Sequence, residues 1–405
     1  MSLRILLVRH GLSSFNLEHR IQGRDDLSSL TDEGVKQALA TGEALRDLPI
    51  TAAYSSPLRR AKDTASALLA AQGSGLTAQL DDDLLEVDLA PWSGLLSTEV
   101  RERFPQEHRL WRQHPEQLIL QRSDGRGYAP IPELMEQAAR FVDKLLKAHD
   151  PASSQPQTVL VVGHNAILRC LLLTLLGLPA SGFRRLRVEN ASLSVLNLTP
   201  DDAGGIAVQI ESLNGTSHLH PEVCASTLPA KASGPRLLLV RHGETDWNRQ
   251  GRFQGQIDIP LNENGHAQAA AAGEFLKAVR FDRAYTSSMA RPRQTAEGIL
   301  QHHPGVPLTS VPHLVEIGHG EWEGRLEEEI SATWPELLAD WKRAPETVQM
   351  PAGETIHDVW DRSLKGWHTI ASSLNPDETA LVVAHDAVNK TILCALLGLS
   401  PADIW

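Results

Sequence analysis

Short apolar runs alternate with amphipathic stretches along the chain. The run LLLV before Arg241 and the continuous apolar run at 379–383 are typical of strands, whereas the Ala-rich stretch at 265–276 is typical of a helix. This alternation predicts a mainly parallel sheet with helices on both faces. In this part of the chain we predict strands at 237–243, 282–286 and 379–383, and helices at 265–276, 291–300, 327–342, 354–374 and 386–397.

The same pattern occurs earlier in the chain, together with the same sequence blocks. The segment Arg4 to Gly23 repeats in the stretch Leu237 to Gln256, with His10 and His242 lying 232 residues apart. Three further blocks recur in the same order: SSPLRRAKDTA with TSSMARPRQTA, LLEVDLAPWSG with LVEIGHGEWEG, and VLVVGHNA with ALVVAHDA. Four blocks repeated in one order indicate a duplicated domain.

The repeat divides the chain into two predicted domains of the α/β class. We predict a first domain at 1–213, a linker at 214–235 that is rich in Pro, Ser and Ala, and a second domain at 236–405. Each domain is predicted to have three α/β/α layers, with a mainly parallel sheet flanked by helices. The first domain continues after its last helix with two strand-like segments, and the second domain is expected to lack these C-terminal strands. About nine extra residues near 118–130 are expected to form a surface loop.

Composition limits what the protein is expected to bind. The 405 residues are 41% hydrophobic and 22% charged, as in a soluble globular protein. The formal charge of −12 argues against nucleic acid, and the longest apolar run, at 171–178, is too short to span a membrane. Three cysteines without paired spacing predict no disulfide framework. We therefore expect a cytoplasmic protein without nucleic acid or membrane partners, and the sequence leaves its oligomeric state open.

An Arg-His-Gly sequence follows the first strand of each repeat. Ligands of parallel α/β sheets bind at the carboxyl ends of the strands, so His10 and His242 are expected at a binding edge, next to Arg9 and Arg241. Because the net charge is negative, an anionic ligand requires a local cluster of arginines of this kind.

Both halves resemble the histidine phosphatase superfamily, also called phosphoglycerate-mutase-like. The resemblance covers nearly the whole chain and rests on Arg-His-Gly at a strand end, Arg before a Thr-Ala helix, Glu before Trp-x-Gly, and a late strand-end histidine. It implies that a neutral imidazole attacks phosphorus to give a phosphohistidine, while arginines bind the phosphate oxygens. Flanking arginines should disfavour the imidazolium and keep the histidine nucleophilic. No metal or cofactor is then expected, because the arginines neutralise the phosphate charge.

The resemblance also implies a role for each matching residue. His242 corresponds to the nucleophile and Glu316 to the acid that protonates the leaving alkoxide and then activates water, with His10 and Glu86 as their counterparts. The implied phosphate-binding residues are Arg241, Arg291 and His385 in the second half, and Arg9, Arg60 and His164 in the first. Further substrate-binding residues are expected at Thr245, Asn248, Arg252, Gln254 and Gly255, and at Ser13, Asn16, Gln22 and Gly23.

The two halves depart unequally from the family pattern. The late histidine is commonly followed by Gly, but here by Asn165 or Asp386, and an acid beside His385 is expected to raise the pKa of that histidine. In the first half, Leu12 stands where the second has Glu244. The first site is therefore expected to be the less typical of the two.

The favoured function is hydrolysis of a small phosphorylated metabolite, because LVEIGHGEWEG resembles the phosphatase branch of the family. Two alternatives remain open from the sequence. One is a cofactor-dependent phosphoglycerate mutase, which must retain a bisphosphate intermediate and exclude water. The other is one active domain combined with a non-catalytic domain that binds phosphate.

Overall fold

The computed structural model describes residues 3–201, 204–220 and 234–405. The chain divides into two compact units, Met1–Pro221 and Glu222–Trp405, each with its own main sheet. The predicted fold class, two tandem α/β domains with mainly parallel sheets flanked by helices, is confirmed. Among the described residues, no helix is both long enough and apolar enough to cross a membrane.

The first unit is built on a six-stranded sheet and a small hairpin. The strands of the unit are β1 (Leu3–Arg9), β2 (Ala52–Ser55), β3 (Gln79–Leu80), β4 (Leu120–Gln121), β5 (Gly127–Tyr128), β6 (Gln157–Gly163), β7 (Leu193–Pro200) and β8 (Ile206–Gly215). Six of them form the order β3-β2-β6-β1-β7-β8, and β4 pairs only with β5. The first four strands in that order are parallel, while β7 and β8 are antiparallel additions beside β1.

In the described part of the first unit, seven α-helices accompany this sheet: α1 (Ser14–Leu17), α2 (Asp32–Ala44), α3 (Arg59–Gln72), α4 (Ser97–Arg103), α5 (Pro105–Gln113), α6 (Pro130–Ala148) and α7 (Asn165–Leu175). Local sequence explains their limits and orientation. Helix α2 begins where the hydroxyl of Thr31 accepts a hydrogen bond from the amide of Gly34, 3.0 Å away. Helix α6 buries Ile131, Leu134 and Phe141 on one face, so its apolar stripe packs into the core.

The second unit repeats the architecture with fewer strands. Its strands are β9 (Arg236–Arg241), β10 (Arg283–Thr286), β11 (Leu308–Ser310) and β12 (Thr379–Ala384), all parallel in the order β11-β10-β12-β9. Its helices are α8 (Asp246–Gln250), α9 (Glu263–Leu276), α10 (Ala290–Leu300), α11 (Glu327–Thr333), α12 (Pro335–Arg343), α13 (Ile356–Ser373) and α14 (Asp386–Leu397).

Successive residues of β12 face opposite sides of the second sheet. Ala380 and Val382 belong to the cluster that contains the apolar residues of α13 and α14. Leu381 and Val383 belong to the cluster formed with α9 and α10. Helices therefore cover both faces of this strand, which explains its continuous apolar sequence.

One predicted helix is wrong in its continuity. The segment predicted as a single helix at 327–342 forms two helices, α11 and α12, which are separated at Trp334. Pro335 disfavours the helical conformation of the residue before it and donates no backbone hydrogen bond. Trp334 accordingly adopts φ −133° and ψ 60°, and the chain changes direction there.

The insertion of the first half is a hairpin rather than an irregular loop. Strands β4 and β5 pair across a turn in which Gly125 has φ +83°. The guanidinium of Arg122 lies 2.9 Å from Asp88, 2.7 Å from Glu133 and 4.2 Å from the centre of the Tyr128 ring. These contacts attach the hairpin to the first unit.

The predicted linker begins too early. Strand β8 extends to Gly215, and the imidazole Nε2 of His218 lies 3.1 Å from the Thr41 hydroxyl and 3.1 Å from the Ala191 carbonyl oxygen. These hydrogen bonds attach residues 214–220 to the first unit. Residues 221–233 of the predicted linker lie outside the described residues.

The strand that leads to the candidate site has different neighbours in the two units. Strand β1 is paired on both sides, by β6 and β7. Strand β9 is paired with β12, and within residues 234–405 no strand lies on its other side. All six residues of β9 are therefore partly or fully exposed, whereas most of β1 is buried.

Candidate active site

Two histidines meet at the same end of each sheet. Parallel pairing places the ends of β1 and β6 side by side, so that His10 and His164 follow neighbouring strands. Their ring centroids are 5.2 Å apart. In the second unit, β9 and β12 bring His242 and His385 together at the same distance, 5.2 Å. The duplicated sequence blocks thus form two separate clusters of the same composition.

The imidazole of the first histidine in each pair is held in one orientation. Nδ1 of His242 lies 2.7 Å from the carbonyl oxygen of Gly243, and Nδ1 of His10 lies 2.8 Å from that of Gly11. A carbonyl oxygen only accepts hydrogen bonds, so Nδ1 carries the proton and Nε2 keeps its lone pair. The backbone amide of each glycine in turn donates to a threonine hydroxyl within a later helix, Thr295 of α10 or Thr64 of α3.

Both imidazoles are neutral at physiological pH. Burial, and next the charge of Arg291, lower the pKa of His242 to about 3. Burial, Arg9 and Arg60 lower the pKa of His10 well below its usual value. The sequence argument named the arginines as the cause of this shift, and the structure adds burial as the larger cause.

A fully buried arginine lies beside each histidine. Nη2 of Arg291 donates to the carbonyl oxygen of Gly255 at 2.8 Å, and its Nε donates to Nε2 of His242 at 3.2 Å. Nη2 of Arg60 donates to the carbonyl oxygen of Gly23 at 2.9 Å, while its Nε is buried without a hydrogen-bond partner. The glycines act here through their carbonyl groups, which hold the guanidinium groups in place.

The second histidine of each pair contacts a serine. Nε2 of His385 lies 2.9 Å from the Ser287 hydroxyl, and Nε2 of His164 lies 2.8 Å from that of Ser56. Nδ1 of both rings is buried without a partner and is available to a ligand.

The expectation that Asp386 raises the pKa of His385 is wrong. Burial, and next the charge of Arg291, lower the pKa of His385 well below its usual value. The carboxylate of Asp386 is instead paired with Arg241, at 3.1 Å, and with Lys390, at 3.0 Å. Adjacency in sequence did not bring the carboxylate to the imidazole, because the side chain points to cations on the other side.

The candidate acid is anchored at a helix N-terminus in both units. Oε2 of Glu316 accepts hydrogen bonds from the amides of Asp386 (2.9 Å) and Ala387 (3.4 Å), at the start of α14. Oε1 of Glu86 accepts from the amides of Ala166 (3.1 Å) and Ile167 (3.2 Å), at the start of α7. Free amides at a helix start favour a carboxylate there.

In the second unit, burial affects the pKa of Glu316 more than these hydrogen bonds do. Burial raises this pKa, and the charge of Asp386 raises it further. A carboxyl group that keeps its proton above the usual pH range is suited to protonate a leaving alkoxide.

The loop after the nucleophile contains the remaining predicted residues. In the second unit, the hydroxyl of Thr245 donates to Oδ1 of Asn248 (3.0 Å) and to Oε1 of Gln254 (2.8 Å). Nε2 of Gln254 is buried without a partner, so it can donate to a bound anion. In the first unit, Ser13 makes the corresponding contacts to Asn16 (2.8 Å) and Gln22 (3.2 Å).

Arg252 does not join this group. Its Nη1 donates to the carbonyl oxygen of Gly324 at 2.6 Å, and it lies 3.8 Å from Glu329. These contacts attach the loop to the start of α11, so the guanidinium is occupied away from the two histidines. The prediction that Arg252 binds substrate has no support in these contacts.

Three kinds of site residue were missed from the sequence. The Ser56/Ser287 and Thr64/Thr295 pairs stand inside the repeated blocks, and this repetition was a usable signal. The sequence contained no such signal for Asn190, because this residue lies 180 residues from His10 in the chain. Its Nδ2 donates to the carbonyl oxygens of His10 (3.0 Å) and Gly11 (3.2 Å) and to Oδ1 of Asn16 (3.1 Å).

The residues that surround the acid are exchanged between the units. In the first, Arg24 donates to the backbone carbonyl of Glu86 at 3.0 Å and to the side-chain oxygen of Gln137 at 2.8 Å. In the second, the loop residue is an amide and the helix residue is the arginine: Gln256 (3.1 Å) and Arg362 (2.9 Å) both donate to the carbonyl of Glu316. In both units an arginine thus donates to the backbone carbonyl of the acid, but this arginine lies in the loop of the first unit and in the helix of the second.

Two histidines, two arginines and a buried glutamate at the carboxyl end of a parallel sheet define a class of protein that binds and processes phosphate groups. The chain belongs to the histidine phosphatase superfamily (branch 1), whose family model matches residues 5–209 and 237–405. The two matched segments correspond to the two repeats, so the predicted family membership is confirmed.

Two relatives match along nearly the whole chain. A 2-carboxy-D-arabinitol-1-phosphatase of Triticum aestivum is 29% identical over 98% of this chain and 79% of its own length. A probable 2-carboxy-D-arabinitol-1-phosphatase of Arabidopsis thaliana is 30% identical over 98% of this chain and 80% of its own length. The expectation of a phosphoric monoester hydrolase is confirmed at the level of this class of enzyme.

Other relatives match one half only. A 2,3-bisphosphoglycerate-dependent phosphoglycerate mutase of Brucella ovis is 38% identical over 42% of this chain and 84% of its own length. A solved structure of a mycobacterial glucosyl-3-phosphoglycerate phosphatase is 28% identical, with a TM-score of 0.45 over 53% of this chain and 99% of its own length.

Proposed function

We propose that both halves of the chain hydrolyse a phosphate monoester of a small metabolite, with His10 and His242 each carrying the phosphoryl group as a phosphohistidine. The observation that supports this most strongly is the pair of equivalent clusters. Each combines an imidazole whose Nδ1 carries the proton, so that Nε2 keeps its lone pair, with a buried arginine, Arg60 or Arg291. The same kinds of residue form this arrangement in both units.

In the proposed reaction, Nε2 of the histidine attacks phosphorus while the bond from phosphorus to the ester oxygen breaks. Arg241, Arg291 and His385 bind the phosphate oxygens in the second half, and Arg9, Arg60 and His164 do so in the first. The proton of Glu316 or Glu86 passes to the leaving alkoxide. The resulting carboxylate then takes a proton from a water molecule, whose oxygen attacks phosphorus while the bond from phosphorus to Nε2 breaks. This step releases phosphate and restores the enzyme.

We propose a phosphorylated sugar or hydroxy acid as the substrate class. The two relatives that match along nearly the whole chain are named for 2-carboxy-D-arabinitol 1-phosphate, an ester that carries a carboxylate. The match to both relatives spans both halves of this chain, which supports a related substrate. The residues beside the acid differ between the halves, with Arg24 in the first and Gln256 in the second, which supports a different preference for the remainder of the substrate.

A panel of phosphorylated metabolites tests this function. Phosphate release is measured for the wild type and for the His10→Ala and His242→Ala variants. We expect each variant to lose the turnover of its own half and to retain that of the other. The double variant should be inactive and should take up no acid-labile phosphate from labelled substrate. Turnover that persists in the double variant would overturn the proposed role of the histidines.

The same assay addresses the two alternative functions. With 3-phosphoglycerate and a bisphosphate primer, interconversion that is faster than phosphate release would show a mutase. If His242→Ala abolished all turnover while His10→Ala changed only substrate affinity or stability, the first half would be a phosphate-binding module.

A further inference from the structure

The residue after the late histidine is Asp386 in the second half and Asn165 in the first, and the two differ only in one charged group. Both are the first residue of a helix, α14 or α7. The carboxylate of Asp386 lies 3.1 Å from Nη1 of Arg241 and 3.0 Å from Nζ of Lys390. One acid thus neutralises the two cations on this side of the second site.

The amide of Asn165 carries no charge, so it cannot form the corresponding ion pairs with Arg9 and Arg169. Its Nδ2 donates to the carbonyl oxygen of Val188 at 2.9 Å, and Nη1 of Arg9 donates to the same oxygen at 2.8 Å. Arg169 occupies the position of Lys390, four residues after Asn165 and on the same face of the helix. Among the described residues, no carboxylate lies within ion-pair distance of Arg9 or Arg169.

Arg169 packs against an aromatic ring and keeps one hydrogen-bond donor without a partner. Its Nε is buried without a hydrogen bond, as is Nε of Arg9. Its guanidinium lies 5.0 Å from the centre of the Phe183 ring, and that of Arg184 lies 5.8 Å from the same ring. The nearby acid Glu189 is paired with Arg187.

These guanidinium groups keep their charge at neutral pH. Burial lowers the pKa of Arg9 and of Arg169 to about 10, which still leaves both protonated. The charges of Glu86 and Glu189 raise the pKa of both arginines, so these acids offset part of the local positive charge. The arginines also act on one another: Arg9 lowers the pKa of Arg169, and Arg169 lowers that of Arg184. An anion placed among them would relieve this repulsion.

We propose that the first half binds a second anionic group of its substrate, a carboxylate or a second phosphate, between Arg9 and Arg169. The second half does not, because Asp386 neutralises the corresponding cations. The choice between Asn165 and Asp386 therefore sets the substrate charge that each half accepts. This inference rests on the proposed function, in which both halves act on phosphate esters.

The test compares two esters that differ only in one anionic group, 3-phosphoglycerate and glycerol 3-phosphate. In His242→Ala protein, which reports the first half, we expect kcat/KM to favour 3-phosphoglycerate by about tenfold or more, as for one added charge-assisted contact. Asn165→Asp and Arg169→Gln should each remove most of that preference, and Arg169→Lys should retain part of it. Arg46→Gln, an exposed change in the turn after α2, is the matched control and should retain it fully.

The reverse change is made in the second half. In His10→Ala protein we expect little preference between the esters, and Asp386→Asn should create one for 3-phosphoglycerate. A preference in the first half that survives both Asn165→Asp and Arg169→Gln would overturn the proposal. An equal preference in both unaltered halves would overturn it too.

Loss of the proposed function is distinguishable from loss of this subsite. If His242→Ala protein turned over neither ester, the first half would not be a phosphatase, and calorimetry with inert analogues would still test binding. 3-Phosphonopropionate and propylphosphonate differ in the same carboxylate. Tighter binding of 3-phosphonopropionate that is lost in Asn165→Asp would support the subsite, and equal binding of the two analogues would overturn it.

Discussion

The ends of β1 and β9 carry the same Arg-His-Gly sequence but are supported by different parts of the molecule. Arg9 lies between two paired strands, and Val188, from the segment before β7, accepts its hydrogen bond. Within residues 234–405, strand β9 is paired on one side, and Arg241 at its end has a side chain that is 52% exposed and forms an ion pair with Asp386. In the described residues, Arg9 thus contacts a backbone carbonyl, whereas Arg241 contacts a carboxylate.

Some features of the site are nevertheless the same in both units. The carbonyl of the glycine that follows His10 or His242 orients the imidazole, and this contact depends only on local sequence. Backbone amides at the start of α7 or α14, far along the chain, hold the carboxyl group of Glu86 or Glu316, so this contact depends on the shared fold. The outer side of the site is built from distant residues, and these differ between the units.

The largest expected effect concerns the acids, where the two halves should behave alike. Glu86→Gln and Glu316→Gln should each lower kcat/KM of their own half about 10²–10⁴-fold, because the leaving alkoxide loses its proton donor. The loss is measured in the His242→Ala and His10→Ala proteins, respectively. With p-nitrophenyl phosphate, whose leaving group needs no proton, the effect on phosphohistidine formation should be much smaller. An equal loss with both esters would contradict the assigned role.

The next effect should separate the halves. Asn190→Ala removes three hydrogen bonds to the loop that carries His10, although each acceptor keeps another donor. We expect it to destabilise the first unit by about 1–3 kcal/mol and to lower turnover of that half only. Chemical denaturation and the ester assay measure the two effects.

Asn197→Ala is the control for this change. Asn197 lies on β7, and its contacts to Arg4 and Glu211 are on an exposed part of the sheet. We expect it to leave turnover of the first half intact. Equal effects of the two substitutions would mean that Asn190 supports the sheet in general rather than the site.

The smallest expected effect is a shift in pH dependence confined to the second half. The negative charge of Asp386 raises the pKa of Glu316, so Asp386→Asn should lower that pKa. The acid must be protonated to act, and the alkaline limb of kcat/KM should therefore move to lower pH, by less than about one pH unit. The profile is recorded in His10→Ala protein. A limb that stays in place or moves to higher pH would contradict the electrostatic role of Asp386.

The sequence by itself determined the duplication, the fold class and the inner residues of both sites. Arg9, His10 and their counterparts are adjacent in sequence, and parallel strands necessarily end at one edge, so periodicity and repeated motifs were sufficient. Strand β12 and helix α14 were predicted to within one residue for the same reason, since their apolar patterns reflect burial on known faces.

Only the tertiary structure decided the outer half of each site. Asn190 reaches the first tip from 180 residues away in sequence, and the exchange of Arg24 with Arg362 is visible only when loop and helix are seen together. The orientation of Asp386 was mispredicted because adjacency in sequence does not fix the direction of a side chain. Its direction follows from the cations that the fold places nearby, Arg241 and Lys390. Contacts of this kind leave no periodic signal in a sequence, since each depends on where a distant segment packs.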